Sequence, residues 1–193
     1  MSNTPSTMME LGNKAPDFKL FDTVNNQLVS LQDFANAKGL LVVFMCNHCP
    51  FVQHILDEFV VAARDLQQKG IGVVTISSND VANYPDDSPV KMAALAREKQ
   101  FSFPYLYDGT QEIAKAYKAA CTPDFFLFDE NDELQLQTGM FIKTIHAVNI
   151  HLGVFDHSLR MIGSGGFILV QEIIDHGSIF LITHCLFYNV WGN

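Results

Sequence analysis

The segment Cys46-Asn47-His48-Cys49-Pro50 sets two thiols three residues apart with an imidazole between them. Thiols at that spacing can close and reopen a disulfide if one of them is available as a thiolate. An apolar run, Leu40 to Met45, precedes the motif, and a stretch with helical spacing, Pro50 to Lys69, follows it. A cysteine at such a junction faces the unpaired N–H groups and the positive dipole end of the helix, which favour thiolate over thiol. Pro50 suits the first helical position, where its missing N–H costs nothing. Cys49 is then the N-cap and Cys46 lies nearer the strand end. This placement favours Cys49 as the low-pKa nucleophile and Cys46 as its disulfide partner.

His48 has two readings. Protonated, it would stabilise a neighbouring thiolate and make the disulfide more oxidising; otherwise it is a solvated loop histidine. Cys46, His48, Cys49 and His54 are all types that zinc accepts, but they fall within nine residues. Structural zinc sites usually draw on two separated pairs. Neither a metal nor an organic cofactor is therefore expected. Cys121-Thr122-Pro123 precedes an apolar segment; taken alone, Cys121 reads as a small buried hydrophobe. Cys185 is given no role. Asp129 to Glu133 reads as a solvated turn, and Asp80, Asp86 and Asp87 as exposed loop acids. Phe51, Phe59 and Leu66 read as core. No Gly-rich phosphate loop, nucleophile-elbow serine or HExxH motif competes with the cysteines.

The elements that must position this motif follow from periodicity. Phe18 and Leu20 alternate before a turn at Asp22 to Asn26, and Leu28 to Leu31 supplies a hairpin partner. Gln32 to Ala37 is expected to be a short helix ended by Gly39. Leu40 to Met45, wholly apolar and rich in β-formers, is a central strand buried on both faces. Phe51, Val52, Ile55, Leu56, Phe59, Val60, Ala63 and Leu66 mark the clearest helix, with Gly70 as its stop. Ile71 to Ile76 is the next strand. Ser88-Pro89 opens a helix to about Lys99, Tyr105 to Tyr107 is a brief strand, and Thr110 caps a helix over 111–118. Phe125 to Phe128 and the strand after Asp132 form an antiparallel hairpin. Strands alternating with helices give an α/β fold with a mixed sheet.

The chain has 193 residues and a net charge of −9, from 12 Lys+Arg against 21 Asp+Glu. One domain is expected, and the charge argues against nucleic acid or an anionic membrane as partner. The N-terminus shows no signal-peptide pattern, and the apolar stretch Ile179 to Val190 is short for a membrane span. The expected location is the cytoplasm, where a cysteine pair is more often catalytic than a structural staple. Residues 1–11 read as a flexible N-terminus and 12–137 as the folded domain. From about Thr138 the composition changes. No proline follows, charged residues reduce to Lys143, Asp156, Arg160, Glu172 and Asp175, and five of the seven histidines gather there. Residues 138–193 are thus an atypical apolar, His-rich tail, readable as divergent sequence, a poorly packed extension or an out-of-frame translation.

Three stretches resemble the thioredoxin-like superfamily in its peroxiredoxin-like branch, the alkyl hydroperoxide reductase and thiol-specific antioxidant proteins. They are Gly12-x-x-Ala15-Pro16-Asp17-Phe18-x-Leu20 with Leu28-Val29-Ser30-Leu31-x-Asp33-Phe34; the strand Leu40 to Met45 running into Cys46-x-x-Cys49-Pro50; and Thr122-Pro123 before Phe125-Phe126-Leu127-Phe128-Asp129. The resemblance spans about residues 12–137. It implies a three-layer α/β sandwich with a mixed central sheet and an N-terminal hairpin. It also implies a cis Pro123, with Thr122-Pro123 lining the site beside Cys46, His48, Cys49 and Pro50, and Cys121 close enough to act as a third redox thiol. Several departures matter. The buried acid common in the strand before the motif is absent, and Met45 and Asn47-His48 stand where thioredoxins carry Trp and Gly-Pro. The peroxiredoxin Pro and Thr upstream of the reactive cysteine are missing. The closing C-terminal helix is not recognisable after Thr138. The expected function is thiol–disulfide exchange with an antioxidant role, acting on protein or small-molecule disulfides with an unidentified reductant. The alternatives are a peroxidase working through a Cys49 sulfenic acid and a metal-binding or redox-silent interaction module.

Overall fold

The computed structural model describes residues 8–138. The expectations for residues 1–7 and for the His-rich tail beyond Thr138, including the closing helix and Cys185, lie outside the described residues.

Seven strands form one mixed sheet in the order β2-β1-β5-β4-β3-β6-β7. At its centre, β3 (Gly39–Phe44) pairs in parallel with β4 (Gly72–Ser77), which pairs in parallel with β5 (Tyr105–Tyr107). On the other side of β3 runs antiparallel β6 (Asp124–Asp129), followed by β7 (Leu134–Thr138). The hairpin β1 (Lys19–Asp22) and β2 (Leu28–Ser30) closes the opposite edge, with β1 antiparallel to β5.

Every residue of β3 is buried, as its unbroken apolar sequence requires of a strand covered on both faces. Side chains alternate across the pleat. Leu41, Val43 and Met45 enter one core with α1 (Pro50–Gln68) and α2 (Pro89–Glu98). Leu40, Val42 and Phe44 enter a second core with Tyr117, Phe126, Phe128 and Ala114 of α3 (Glu112–Ala116). Helices thus lie on both faces of the sheet. In α1 the buried stripe is Val52, Ile55, Leu56, Phe59, Val60, Ala63 and Leu66. Phe51, expected in the core, is 43% exposed, because it sits in the first turn on the side away from the sheet.

Two further expectations are corrected. The short helix expected over Gln32 to Ala37 is a 3₁₀ helix that starts one residue earlier and ends sooner, Leu31–Phe34, and Gly39 begins β3 instead of ending the helix. Its entry is fixed by Asp33, whose carboxylate accepts from the Ser30 N–H at 2.7 Å and the Ser30 hydroxyl at 3.0 Å. The helix expected over 111–118 is shorter and starts after Gln111, which has a left-handed backbone at φ 61°. Of the stretch expected to be loose, Met9 is buried and its N–H donates to Gln137 Oε1 at 2.7 Å. Among the described residues no helix is long and apolar enough to cross a membrane.

Candidate active site

The loop from Met45 to Cys49 joins the C-terminal end of β3 to the N-terminus of α1. Pro50 opens the helix and Cys49 is its N-cap, with an extended backbone at φ −66° and ψ 120°. Cys46, Cys49 and Cys121 are all buried.

Thr122, joined to Pro123 by a cis peptide bond, lies against both sulfurs of the motif. Its hydroxyl is 3.3 Å from Cys46 Sγ, and its carbonyl oxygen is 3.3 Å from Cys49 Sγ, where it accepts the thiol proton when Cys49 is protonated. Pro123 shares a small apolar cavity with Met45, Val52 and Phe125 beneath α1. Cys121 is fully buried one residue before Thr122.

The two thiols differ sharply in acidity. Cys49 is lowered from 9.0 to about 6. The chief cause is a hydrogen bond from the Cys46 thiol; Thr122 and the backbone N–H groups of Val52 and Phe51, in the first turn of α1, add to it, and burial opposes it. Cys46 moves the opposite way. Its role as donor to Cys49, its burial and the nearby charge of Asp87 all hold its proton on. Above about pH 6 the pair therefore carries one negative charge, on Cys49, and one proton, on Cys46.

His48 is not a freely solvated histidine. Its ring stacks on Tyr84 at 4.4 Å with an interplanar angle of 5°. Its Nδ1 is hydrogen-bonded to Asp87 Oδ2 at 2.5 Å. Asp87, expected to be exposed, is completely buried. The connection between β4 and α2 folds back so that Asp87 receives the N–H of Asn47 at 2.7 Å and of His48 at 3.1 Å on Oδ1. Asn79 Nδ2 donates to Oδ2 at 2.6 Å. A buried carboxylate is tolerated only with such donors around it. Tyr105 donates its hydroxyl to Asn47 Oδ1 at 3.0 Å and Gln53 Nε2 donates to the Asn47 carbonyl at 2.9 Å, so the loop is held from β5 and α1 as well.

Among the described residues, Cys46, His48 and Asp87 form the one cluster that brings three Cys, His or acidic donor atoms within 4.8 Å of one another. His54, a member of the donor set considered from sequence, is exposed on α1 and takes no part. The Asp87 carboxylate already accepts four hydrogen bonds, which marks the cluster as a hydrogen-bonded network around Asp87. A groove of about 420 Å³ opens on the outer side of the loop, lined by Asn47, His48, Gln53, Asp86, Lys91 and Leu95.

A mixed sheet with helices on both faces, a CxxC at the strand–helix junction and a cis-proline facing it define the thioredoxin-like class. The AhpC/TSA family matches residues 11–137, and the chain belongs to that family of thiol redox proteins. It is similar to an uncharacterized conserved protein from Geobacillus kaustophilus, at 45% identity over 71% of this chain and 72% of that one, with a TM-score of 0.69. Two more distant structures share the fold. One is a putative thiol:disulfide interchange protein DsbE from Chlorobium tepidum, at 19% identity, covering 75% of this chain and 96% of that one, TM-score 0.58. The other is the peroxidoxin BcpB from Mycobacterium tuberculosis, at 16% identity, covering 76% and 96%, TM-score 0.60. No curated protein matches the chain.

Proposed function

We propose that this protein is a thiol–disulfide oxidoreductase in which Cys49 attacks and Cys46 resolves. The observation that carries this reading is the opposed acidity of two thiols joined by a hydrogen bond, with the lowered one capping α1. In the first step the Cys49 thiolate attacks one sulfur of a substrate disulfide. A Cys49–substrate bond forms, the substrate S–S bond breaks, and the second substrate sulfur leaves as a thiolate. In the second step Cys46, having lost its proton, attacks Cys49. The Cys46–Cys49 disulfide forms and the remaining substrate sulfur departs. The substrate gains two electrons, which a separate thiol reductant must return to the protein. Substrate disulfides, on a protein or a small molecule, approach along the groove beside His48. Thr122, joined to cis Pro123, lies against both sulfurs, and Cys121 is buried one residue before it.

A second reading, a thiol peroxidase, is favoured by the family match. In it Cys49 gives two electrons to a peroxide, becomes a sulfenic acid and is resolved by Cys46. An insulin-type disulfide reduction assay run beside a stopped-flow peroxide assay separates the two. The leading proposal expects turnover of the disulfide and slow peroxide consumption. Fast peroxide consumption without disulfide reduction would overturn it.

A further inference from the structure

The second step of exchange poses a problem that the first does not. Once Cys49 is bonded to substrate it carries no charge and no longer holds the Cys46 proton as an acceptor. Cys46 must then ionise in a fully buried position. Burial disfavours a thiolate, and an anion beside it disfavours it further. β3, which leads into Cys46, is wholly apolar and supplies no acid or base.

We infer that the His48–Asp87 pair is the proton acceptor for Cys46 during resolution of the mixed disulfide. The inference rests on the exchange reading above. The imidazole, the carboxylate and the Cys46 sulfur lie within 4.8 Å of one another, a span that one bridging water can close. Asp87 is fixed by Asn79 and by the N–H groups of the same loop that carries the cysteines. Tyr84 holds the His48 ring in its stacked orientation. The charge balance also favours this route. Moving the proton from Cys46 Sγ to the adjoining pair shifts one buried negative charge from the pair to the sulfur and creates no second one. As Cys46 Sγ bonds to Cys49 Sγ, the charge passes to the departing substrate sulfur. The proton on the pair then follows it or exchanges with solvent at the partly exposed His48.

The groups facing the pair can be named from every side. Cys46 and Cys49 come from the loop itself, and Tyr84 and Asp86 from the connection before α2. Lys91 of α2 is paired with Asp86 at 2.7 Å, and Tyr105 of β5 is bound to Asn47. Burial pushes Tyr105 well above its ordinary value, and Lys91 holds Asp86 below its own. In the mixed disulfide Cys49 has no proton to lose. The pH dependence of the second step is therefore free of the Cys49 titration.

The test uses the full-length reduced protein and dithiobis-nitrobenzoate, a symmetric disulfide that releases one coloured thiolate at each step. Stopped-flow absorbance follows the two releases, and peptide mass spectrometry of quenched samples assigns each adduct. In Asp87→Asn the first release is expected within about twofold of wild type, and the second slowed about 100-fold, the scale of a lost general base. The residual second phase should rise roughly tenfold per pH unit from pH 6 to 9, since hydroxide must then take the proton, a steeper dependence than that of wild type. His48→Gln, altering a ring that is partly solvated, provides the second variant should Asp87→Asn not fold, and it is expected to slow the second release selectively by about tenfold or more. Equal slowing of both releases would reduce the pair to a loop anchor and overturn the inference, as would an unchanged second release in both variants. A wild-type protein that stops at the Cys49 adduct would instead remove the exchange reading itself.

Discussion

Removing the Cys46 sulfur should raise the pKa of Cys49 by a predictable amount. In the structure the largest contribution to the lowered value of Cys49 is the hydrogen bond it receives from Cys46, ahead of Thr122 and the N–H groups of Val52 and Phe51. A hydrogen bond to a charged acceptor is worth about 1.5–3 kcal/mol. At about 1.4 kcal/mol per unit this is about one to two units. In Cys46→Ala, Cys49 should thus titrate near 7 to 8 instead of about 6, and still below 9.0 because the helix N-terminus remains. At pH 7 the thiolate fraction falls from roughly nine in ten to between roughly one in two and one in ten. The assay is the ultraviolet absorbance of the thiolate as a function of pH, taken as the difference between each protein and its Cys49→Ser counterpart. That difference removes Cys121 and Cys185 from the signal and needs no reagent to reach a buried sulfur. An unmoved midpoint in Cys46→Ala would show that Cys46 is not the donor. A wild-type midpoint near 9 would refute the electrostatic reasoning as a whole.

Stability should follow the same titration. Because Cys49 is lowered in the folded state, its stabilising contribution is absent below about pH 6, grows as pH rises, and is complete above 9.0. Above that, the held proton of Cys46 reverses the slope, since the unfolded chain ionises first. Urea unfolding of the reduced protein against Cys49→Ser across this range checks both signs; a flat difference would contradict them. Phe59→Ala removes a ring packed 5.1 Å from Phe103 and 6.0 Å from Phe125, and should cost about 3–5 kcal/mol in the same measurement. Gly39→Ala should destabilise by about 1–3 kcal/mol, because its Cβ would meet the Phe128 carbonyl oxygen at 2.7 Å across the β3–β6 pairing. An unaltered unfolding midpoint in that variant would mean the two strands can part at no cost.

What was legible in the sequence was what depends on neighbours along the chain. The apolar run of β3, the stripe of α1 and Pro50 at the start of that helix placed the two cysteines at a strand end and a helix cap. The Thr122-Pro123 pair was recognisable only through its resemblance to a known pattern. Asp87 was not legible. In Ser78 to Asp87 it is one of several acids in a proline-containing polar loop, and nothing local separates it from Asp86, whose side chain is 64% exposed. Its burial arises because the loop folds back over residues some forty positions earlier, where two backbone N–H groups lacked partners. The same limit explains Phe51. Helical spacing places it near the buried stripe, but Val52 is the residue of the first turn that packs against the sheet, so Phe51 stays exposed.

Whether Cys49 attacks and Cys46 resolves is read most directly by trapping the first intermediate. Cys46→Ser and Cys49→Ser are each mixed with a disulfide-containing peptide, quenched with acid and read by peptide mass spectrometry. The structure-based expectation is a stable mixed disulfide on Cys49 in Cys46→Ser and almost no adduct on Cys46 in Cys49→Ser. An adduct that forms through Cys46, with Cys49 unreacted in the other variant, would contradict the account.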